Sequence, residues 1–364
     1  MLVFYQAMVH VSIGERDEAI ELLRSLKGRE LGLIPVRGIG FNAVWADAEF
    51  QAVREELAAD EPTTEPAPVA FRLPDAKLIP EGIAYDAKDE RFFIGSIAQR
   101  KIIVTDGKGD VRDFSDPADK LDAVLGLAVD GPRGHLYAVS TNGFLDDAKT
   151  ERRNAVLRYD LKSGRLLDRF AAPDALQLND LAIAPAGTLY VTDSMGGSVW
   201  RKTPEATGFT PLGAAGALRG ANGIALGKYG LYVAVSTGIM QIDTASGEAT
   251  KVVQPDHVVT GGIDGLYWYD GDLIGVQNST NPGWVVHLSP DEKGTRTPGM
   301  TVLQSHHHPE FDQPTTGVVA NGALYVIGNS YVGQYAPDGT IRDADDLKGT
   351  AIIAVRLPPP RRQD

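Results

Sequence analysis

Residues 222–236 read Asn-Gly-Ile-Ala-Leu-Gly-Lys-Tyr-Gly-Leu-Tyr-Val-Ala-Val-Ser. A short apolar strand runs into a Gly-containing turn, and a second strand rich in β-branched and aromatic residues follows, which is the pattern of a β-hairpin. Five further hairpins of this design begin at Glu81, Leu125, Asn179, Asp264 and Thr316. The copies lie roughly 40–55 residues apart, and this spacing is the period of a propeller blade.

Six copies predict an all-β fold, a six-bladed β-propeller over residues 69–364. Outer strands are visible between the copies, for example at 101–104 and 156–159. We expect the apolar stretch 69–73 to pair with 351–357 in the last blade. Sharing one sheet between the two ends of the domain would remove its open edges.

The residues before the propeller predict a small α-helical hairpin or cap. Apolar residues at helical spacing flank a turn at Gly14, and a third helix is expected over 46–57. Ala7, Gly14, Ala19 and Leu23 resemble one tetratricopeptide repeat. The predicted domains are a helical segment over 1–60, a polar Pro-rich linker over 61–68 and the propeller over 69–364. Either a structural cap or a peptide-binding module fits the helical segment.

Composition restricts the partners. The chain of 364 residues carries a net charge of −13 and no cysteine. An acidic surface argues against nucleic acid as a partner, because phosphate binding needs a basic face. The absence of cysteine excludes disulfides, thiolate metal sites and a cysteine nucleophile. No apolar run is long enough for a membrane span, and no signal peptide is visible, which favours the cytoplasm, or the periplasm if the chain is a mature form.

The first residue of each hairpin carries the chemistry. In a propeller the innermost strand of every blade lines the central channel, so equivalent positions converge on the axis. Four of the six positions provide carboxylate or amide oxygens: Glu81, Asn179, Asn222 and Asp264. Oxygen donors of this kind suit a hard cation such as Ca²⁺, although other divalent cations would also fit.

These positions lie in four motifs, Pro80-Glu81-Gly82, Leu178-Asn179-Asp180, Ala221-Asn222-Gly223 and Ile263-Asp264-Gly265. In this order and at blade spacing they resemble the metal-site motifs of the SMP-30/gluconolactonase (regucalcin-like) family of calcium-dependent hydrolases. The resemblance covers residues 69–357 and implies that Glu81, Asn222 and Asp264 bind the cation directly. It places Asn179 beside the cation and the substrate.

At two positions this chain differs from related families, and each difference excludes one feature of the predicted site. The more distantly related paraoxonases carry a histidine where this chain has Leu125, so a histidine base at that position is excluded. Gly82 follows Glu81 where an acidic residue would support a second, structural calcium. The resemblance therefore implies one cation.

A second polar stretch, residues 304–315, precedes the sixth hairpin and contains three consecutive histidines. We expect it to form a loop over the channel mouth. His308 and Asp312 are candidate substrate contacts there, and Thr316 at the start of the next strand is a third. A solvated polar loop, or adventitious zinc binding by the histidines, would produce the same sequence.

The sequence thus predicts a metal-dependent lactonase or esterase whose substrate is a small lactone or other ester. The cation would polarise the carbonyl, while Asp264 would orient or deprotonate water and Asn179 would contact the substrate. The alternative is a non-catalytic binding or scaffold propeller, with the N-terminal helices as the docking element for a protein partner.

Overall fold

The computed structural model describes residues 1–144 and 151–359, and it confirms the six-bladed β-propeller. Three α-helices precede the strands: α1 Leu2–Ser12, α2 Arg16–Arg24 and α3 Ala48–Ala59. The strands in chain order are β1 Val69–Leu73, β2 Pro80–Asp86, β3 Arg91–Ser96, β4 Lys101–Thr105, β5 Val111–Asp113, β6 Ala123–Asp130, β7 His135–Thr141, β8 Asn154–Asp160, β9 Leu166–Ala171, β10 Leu178–Ile183, β11 Leu189–Asp193, β12 Ser198–Lys202, β13 Thr210–Leu212, β14 Ile224–Gly227, β15 Gly230–Val235, β16 Gly238–Ile242, β17 Ala249–Lys251, β18 Ile263–Tyr269, β19 Asp272–Gln277, β20 Trp284–Leu288, β21 Met300–Gln304, β22 Gly317–Ala320, β23 Ala323–Ile327 and β24 Thr350–Arg356.

Each blade is an antiparallel sheet of four strands. Blades 1 to 5 use consecutive strands from β2 to β21, and blade 6 has the order β1-β24-β23-β22. The N-terminal strand therefore closes the last blade, as expected, with Leu73 opposite Thr350. The innermost strands β2, β6, β10, β14, β18 and β22 contact one another in a closed ring. This ring forms the wall of the axial channel.

Short turns join the strands of each hairpin. The turn between β22 and β23 is Asn321-Gly322, with φ values of 50° and 73°. Left-handed conformation at both central residues matches the right-handed twist of the flanking strands, and Asn and Gly tolerate it best. The loop residues therefore specify where each blade folds back.

The inner strands are irregular where the polar motifs occur. In blades 1, 2, 3 and 5 the pairing register with the second strand shifts across the motif, between Pro80 and Ile83 in blade 1 and between Ile263 and Leu266 in blade 5. A β-bulge bends the strand and redirects a side chain. The motifs are thus the points at which each inner strand leaves its ladder near the axis.

The glycine that follows most of these polar residues allows neighbouring blades to approach. A Cβ atom on Gly82 would lie 1.9 Å from the Leu125 carbonyl oxygen of blade 2. At Gly223 it would lie 2.3 Å from the Asp264 carbonyl oxygen, which accepts the Gly223 N–H at 2.7 Å. A side chain at either position would force the blades apart, so the repeated glycine is explained by close packing around the channel.

The helical segment has its own apolar cluster. Phe50, Val53 and Leu57 on α3 are buried, and the Asp47 side chain caps this helix by accepting the N–H groups of Glu49 and Phe50. The helix begins and ends two residues later than predicted. The cluster includes the propeller residue Val259. The segment therefore packs on the propeller.

Residues 61–68, the predicted linker, also contact the propeller. Thr64 Oγ1 accepts the N–H of Ser305 at 2.9 Å, and the Ala67 N–H donates to Gln304 Oε1 at 2.7 Å. The Glu61 side chain is buried. Among the helices of the described residues, we find none with the length and apolar character needed to cross a membrane.

Candidate metal centre

The polar inner-strand residues lie at one end of the channel. In a four-stranded antiparallel blade, the start of the first strand lies at the same face as the loop between the second and third strands. The connection that leads in from the preceding blade lies there too. This face carries the 278–283 loop of blade 5, which begins opposite Ile263 because Ile263 pairs with Gln277. The 278–283 loop therefore lies at the same face as the starts of the inner strands.

Asp264 is the best-defined member of the site. Its carboxylate is buried, and Asn278 Nδ2 donates to its Oδ2 at 2.6 Å. The same nitrogen donates to the Pro314 carbonyl oxygen at 2.8 Å. Burial raises the pKa of Asp264, and hydrogen bonding by the amides of Asn278 and Asn222 partly opposes that increase. Asn278 and Asn222 thus bring blades 4 and 5 together at the carboxylate.

Glu81 lies near Asp264 on the axis. Its side chain is 6% exposed, and its pKa is raised well above the usual range by burial first and by the Asp264 carboxylate second. The carboxylate of Asp180 contributes in the same direction. Asp264 also raises the pKa of Asp180, and buried carboxylates this close together need protons or a cation to offset their repulsion.

Two oxygens beside this cluster lack partners. Glu81 Oε2 and Asn222 Oδ1 are buried without a hydrogen-bond partner, although the hydroxyls of Thr315 and Ser330 lie close enough to the Glu81 carboxylate to lower its pKa. A buried oxygen without a partner is costly, and a coordinating cation would satisfy it. Residues 1–144 and 151–359 contain no group of three or more His, Asp or Glu side chains placed to hold a metal ion. The donor set that fits a cation consists instead of two carboxylates with amide oxygens, all of them hard ligands. We call Glu81, Asn179, Asn222 and Asp264 the axial site.

Asn179 reaches the same region through blade 3. Its Nδ2 donates to Ser194 Oγ at 2.9 Å, and that hydroxyl donates to the Ala221 carbonyl oxygen at 2.6 Å. Ala221 directly precedes Asn222. The chain of bonds therefore links blade 3 to blade 4 beside the axis and engages the nitrogen end of the Asn179 amide.

The three residues expected to contact the substrate, His308, Thr316 and Asp312, have different surroundings in the structure. His308 is buried, with Nε2 at 2.8 Å from the Ala67 carbonyl oxygen and Nδ1 accepting the Glu310 N–H at 3.1 Å. Thr316 Oγ1 donates to the Glu81 carbonyl oxygen and so ties blade 6 to blade 1. Asp312 is exposed at the surface, and partial desolvation of its carboxyl group raises its pKa. The structure therefore places Thr316 at the axial site, whereas His308 holds the linker; substrate binding by these residues stays a prediction.

Sequence reasoning missed three residues. Asn278 lies in the 278–283 loop, outside the strand starts at which the sequence pattern located the polar residues. Asp180 occupies the position that is glycine in the other five blades, and its carboxylate accepts the N–H groups of Leu181 and Ile224 at 2.8 and 3.2 Å. This exception to the glycine pattern was a visible signal. Burial raises the pKa of Asp180 to about 7.

Tyr267, the third missed residue, lies farther along the channel. Its hydroxyl oxygen accepts the Gly317 N–H at 2.5 Å, and its pKa is raised by burial and by the carboxylates of Asp180, Asp264 and Glu81. Tyr267 and Asp180 contribute to the wall of a cavity of about 320 Å³ lined mostly by apolar inner-strand residues. The channel therefore continues beyond the axial site as a cavity whose wall combines polar groups with apolar side chains.

Comparisons with known proteins support the fold. No protein-family model matches the chain, and no curated protein is significantly similar to it. Among solved structures, a gluconolactonase from Xanthomonas campestris is similar, with 19% identity, a TM-score of 0.52, and coverage of 73% of this chain and 93% of that one. A calcium-binding regucalcin from Agrobacterium tumefaciens has 16% identity and a TM-score of 0.52, with 82% and 97% covered.

A third similar structure has a different activity in its name. It is a putative oxidoreductase (glucose dehydrogenase) from Thermus thermophilus, with 18% identity, a TM-score of 0.52, and coverage of 79% of this chain and 99% of that one. Similarity at this level of identity establishes the shared propeller. The chemistry must therefore be argued from the axial site.

Proposed function

We propose that this protein is a calcium-dependent hydrolase of a lactone or other ester, with membership of the SMP-30/gluconolactonase family as part of the proposal. The observation that carries it is the pair of unpartnered buried oxygens, Glu81 Oε2 and Asn222 Oδ1, next to the Asp264 carboxylate. A divalent cation would satisfy both oxygens and neutralise the buried negative charge.

Each residue of the axial site would have its own role in the reaction. A bound Ca²⁺ would act as a Lewis acid on the carbonyl oxygen of the ester. Glu81 supplies negative charge, and Asn222 supplies a neutral oxygen donor. Asp264 accepts amide hydrogen bonds from Asn278 and Asn222, and its carboxylate would add negative charge at the cation and accept a proton from water bound there. Asn179 is held by Ser194 at the edge of the site, where its amide can hydrogen-bond the substrate.

Hydrolysis needs two proton transfers, one from the attacking water to Asp264 and one to the leaving oxygen. The water oxygen attacks the carbonyl carbon while Asp264 accepts a proton from that water. The bond between the acyl carbon and the ester oxygen then breaks, and that oxygen takes the proton back from the Asp264 carboxyl group to become a hydroxyl. The products are a carboxylic acid and an alcohol within one molecule when the substrate is a lactone. An aldonolactone is the first substrate to test, since a gluconolactonase is among the similar structures.

The test is direct. Protein stripped with EDTA is assayed with glucono-1,5-lactone by proton release, before and after Ca²⁺, Mg²⁺ or Zn²⁺ is restored. Cation-dependent turnover that disappears in Asp264→Asn supports the proposal. Turnover that is unchanged by EDTA, or cation binding without hydrolysis of any lactone or aryl ester, contradicts it.

One observation favours the non-catalytic alternative. Of six exposed large apolar side chains in the described residues, three lie on or next to α1, namely Leu2, Val9 and Ile13. An exposed apolar stripe of this kind can bind a partner protein. In that case α1 would be the docking element and the axial site would only hold a structural cation. Specific capture of a partner that is lost in a Val9→Glu, Ile13→Glu double variant, together with absent turnover, would establish it.

A further inference from the structure

The helical segment docks on the face of the propeller that carries the axial site. Its apolar cluster takes in Val259, which lies in the connection that leads from blade 4 into β18. Tyr5 donates its hydroxyl to the Ser236 carbonyl oxygen at 2.6 Å. The Met1 side chain fills the space beside Gly261, where an added Cβ would lie 1.8 Å from Met1 Cε. The segment therefore covers the 258–262 connection directly before Asp264.

The same segment also contacts the loop between β19 and β20 of blade 5. The Ile34 N–H donates to the Thr280 carbonyl oxygen at 2.7 Å, and Asn281 Nδ2 donates to the Gly32 carbonyl oxygen at 3.3 Å. A Cβ on Gly32 would lie 2.4 Å from ring atoms of Trp284. Gly32 thus lies flat against the indole, and the backbone of residues 32–34 pairs with the 278–283 loop.

These two contacted loops hold Asp264 between them. Gln277 Nε2 donates to the carbonyl oxygens of Val259 and Gly261 at 3.1 and 2.5 Å. The Asn278 N–H donates to the Gly262 carbonyl oxygen at 3.1 Å, while its side chain donates to the Asp264 carboxylate. The position of Asn278 therefore depends on both loops, and both loops carry the helical segment.

We propose that the N-terminal helical segment is a positioning element of the axial site: its docking on the 258–262 and 278–283 loops fixes Asn278, and through Asn278 it fixes the Asp264 carboxylate. The role in cation binding rests on the proposed function; the mechanical coupling does not. Outer contacts that orient a ligand commonly change metal affinity by 10–100-fold. The segment therefore contributes to the site without touching the cation.

Two glycines in the segment provide a matched test. Gly32 and Gly28 both have positive φ, 62° and 73°, so alanine brings comparable backbone strain at each. Only at Gly32 would the new methyl group strike Trp284; at Gly28 it would meet no atom within 4 Å. Gly32→Ala should disturb docking, and Gly28→Ala controls for the strain.

Two readouts separate the coupling from the cation. In metal-free protein, amide hydrogen exchange over 258–266 and 277–283 should become about tenfold faster in Gly32→Ala than in Gly28→Ala, while β6 and β7 exchange equally in both. Calorimetric Ca²⁺ affinity should fall about tenfold in Gly32→Ala and less than twofold in Gly28→Ala. Equal exchange in the two variants overturns this proposal. If the unmodified protein binds no Ca²⁺ but the exchange difference appears, only the proposed function fails.

A milder variant is used if Gly32→Ala does not fold. Tyr5→Phe removes the hydroxyl bond to Ser236 and leaves the ring in place. Exchange over 258–262 should then rise about two- to threefold without a change in β6 and β7. Unchanged exchange in a folded Tyr5→Phe protein would overturn the proposal equally.

Discussion

Blades 2 and 5 share one backbone plan at the axis and differ in chemistry. Each inner strand shifts register at a motif of one residue followed by glycine, Leu125-Gly126 and Asp264-Gly265. Leu125 is 1% exposed within an apolar cluster, whereas Asp264 is buried with an amide donor on its carboxylate. Blade 5 also carries the helical segment. The fold thus supplies equivalent axial positions, and single side chains with their supporting loops decide which of them can bind a cation.

Removing the charge in blade 5 should have the largest effect. Asp264→Asn keeps the shape but loses a ligand charge and the base, so we expect turnover to fall on the order of a thousandfold. Ca²⁺ affinity should fall at least tenfold, and Glu81→Gln should act similarly. Leu125→Met at the equivalent position of blade 2 is the control and should retain turnover within about twofold. Steady-state kinetics with calorimetry measures both, and an active Asp264→Asn would show that the role is misassigned.

The next largest effect should be a loss of stability when a charge is introduced at the equivalent position of blade 2. Leu125→Asp buries a carboxylate among apolar side chains, and we expect the free energy of unfolding to fall by about 3 kcal/mol at pH 8. The loss should be smaller at pH 5, because the new acid can then be protonated. Urea denaturation at the two pH values measures this. A loss that does not depend on pH would mean that the new side chain reaches solvent.

Turnover and cation binding should separate at Asn179. Because Ser194 holds this amide at the edge of the site, Asn179→Ala should lower kcat by roughly 30-fold while Ca²⁺ affinity falls by less than about tenfold. Comparing kcat with calorimetric affinity tests the assignment. The opposite ranking would make Asn179 primarily a cation ligand.

Much of this comparison was accessible from the sequence. The six hairpins were predicted because alternating apolar strands and Asn-Gly or Asp-Gly turns are local signals, and the polar starts of the strands followed from the repeat. Asn278 could have been found by pairing β19 against β18, since Gln277 lies opposite Ile263. The docking of residues 32–34 on the 278–283 loop leaves no periodic signal. It depends on shape, namely a glycine against the face of Trp284.

The smallest expected effect is on the pH dependence of stability, and it arises from Glu61, which holds the backbone of Gly32 in the helical segment. Glu61 Oε1 accepts the Gly32 N–H at 2.7 Å, and burial raises the pKa of Glu61 to about 7. For an acid with a raised folded pKa, stability is fully present below the unfolded value near 4.5 and is lost as the pH rises through about 7. Glu61→Gln should remove this loss and gain about 1–2 kcal/mol over the parent at pH 8, after allowance for solvent screening. Thermal melts between pH 4.5 and 8 measure it, and parallel pH profiles for parent and variant would contradict the assignment.

The carboxylate and amide oxygens at the channel axis should form one cation site. Equilibrium dialysis of EDTA-stripped protein against radioactive Ca²⁺ tests it most directly, with a Glu81→Gln, Asp264→Asn double variant alongside. We predict one Ca²⁺ per chain in the parent protein and none at the same concentrations in the double variant. Absence of binding in the parent at millimolar Ca²⁺, or equal binding by the two proteins, would contradict the account.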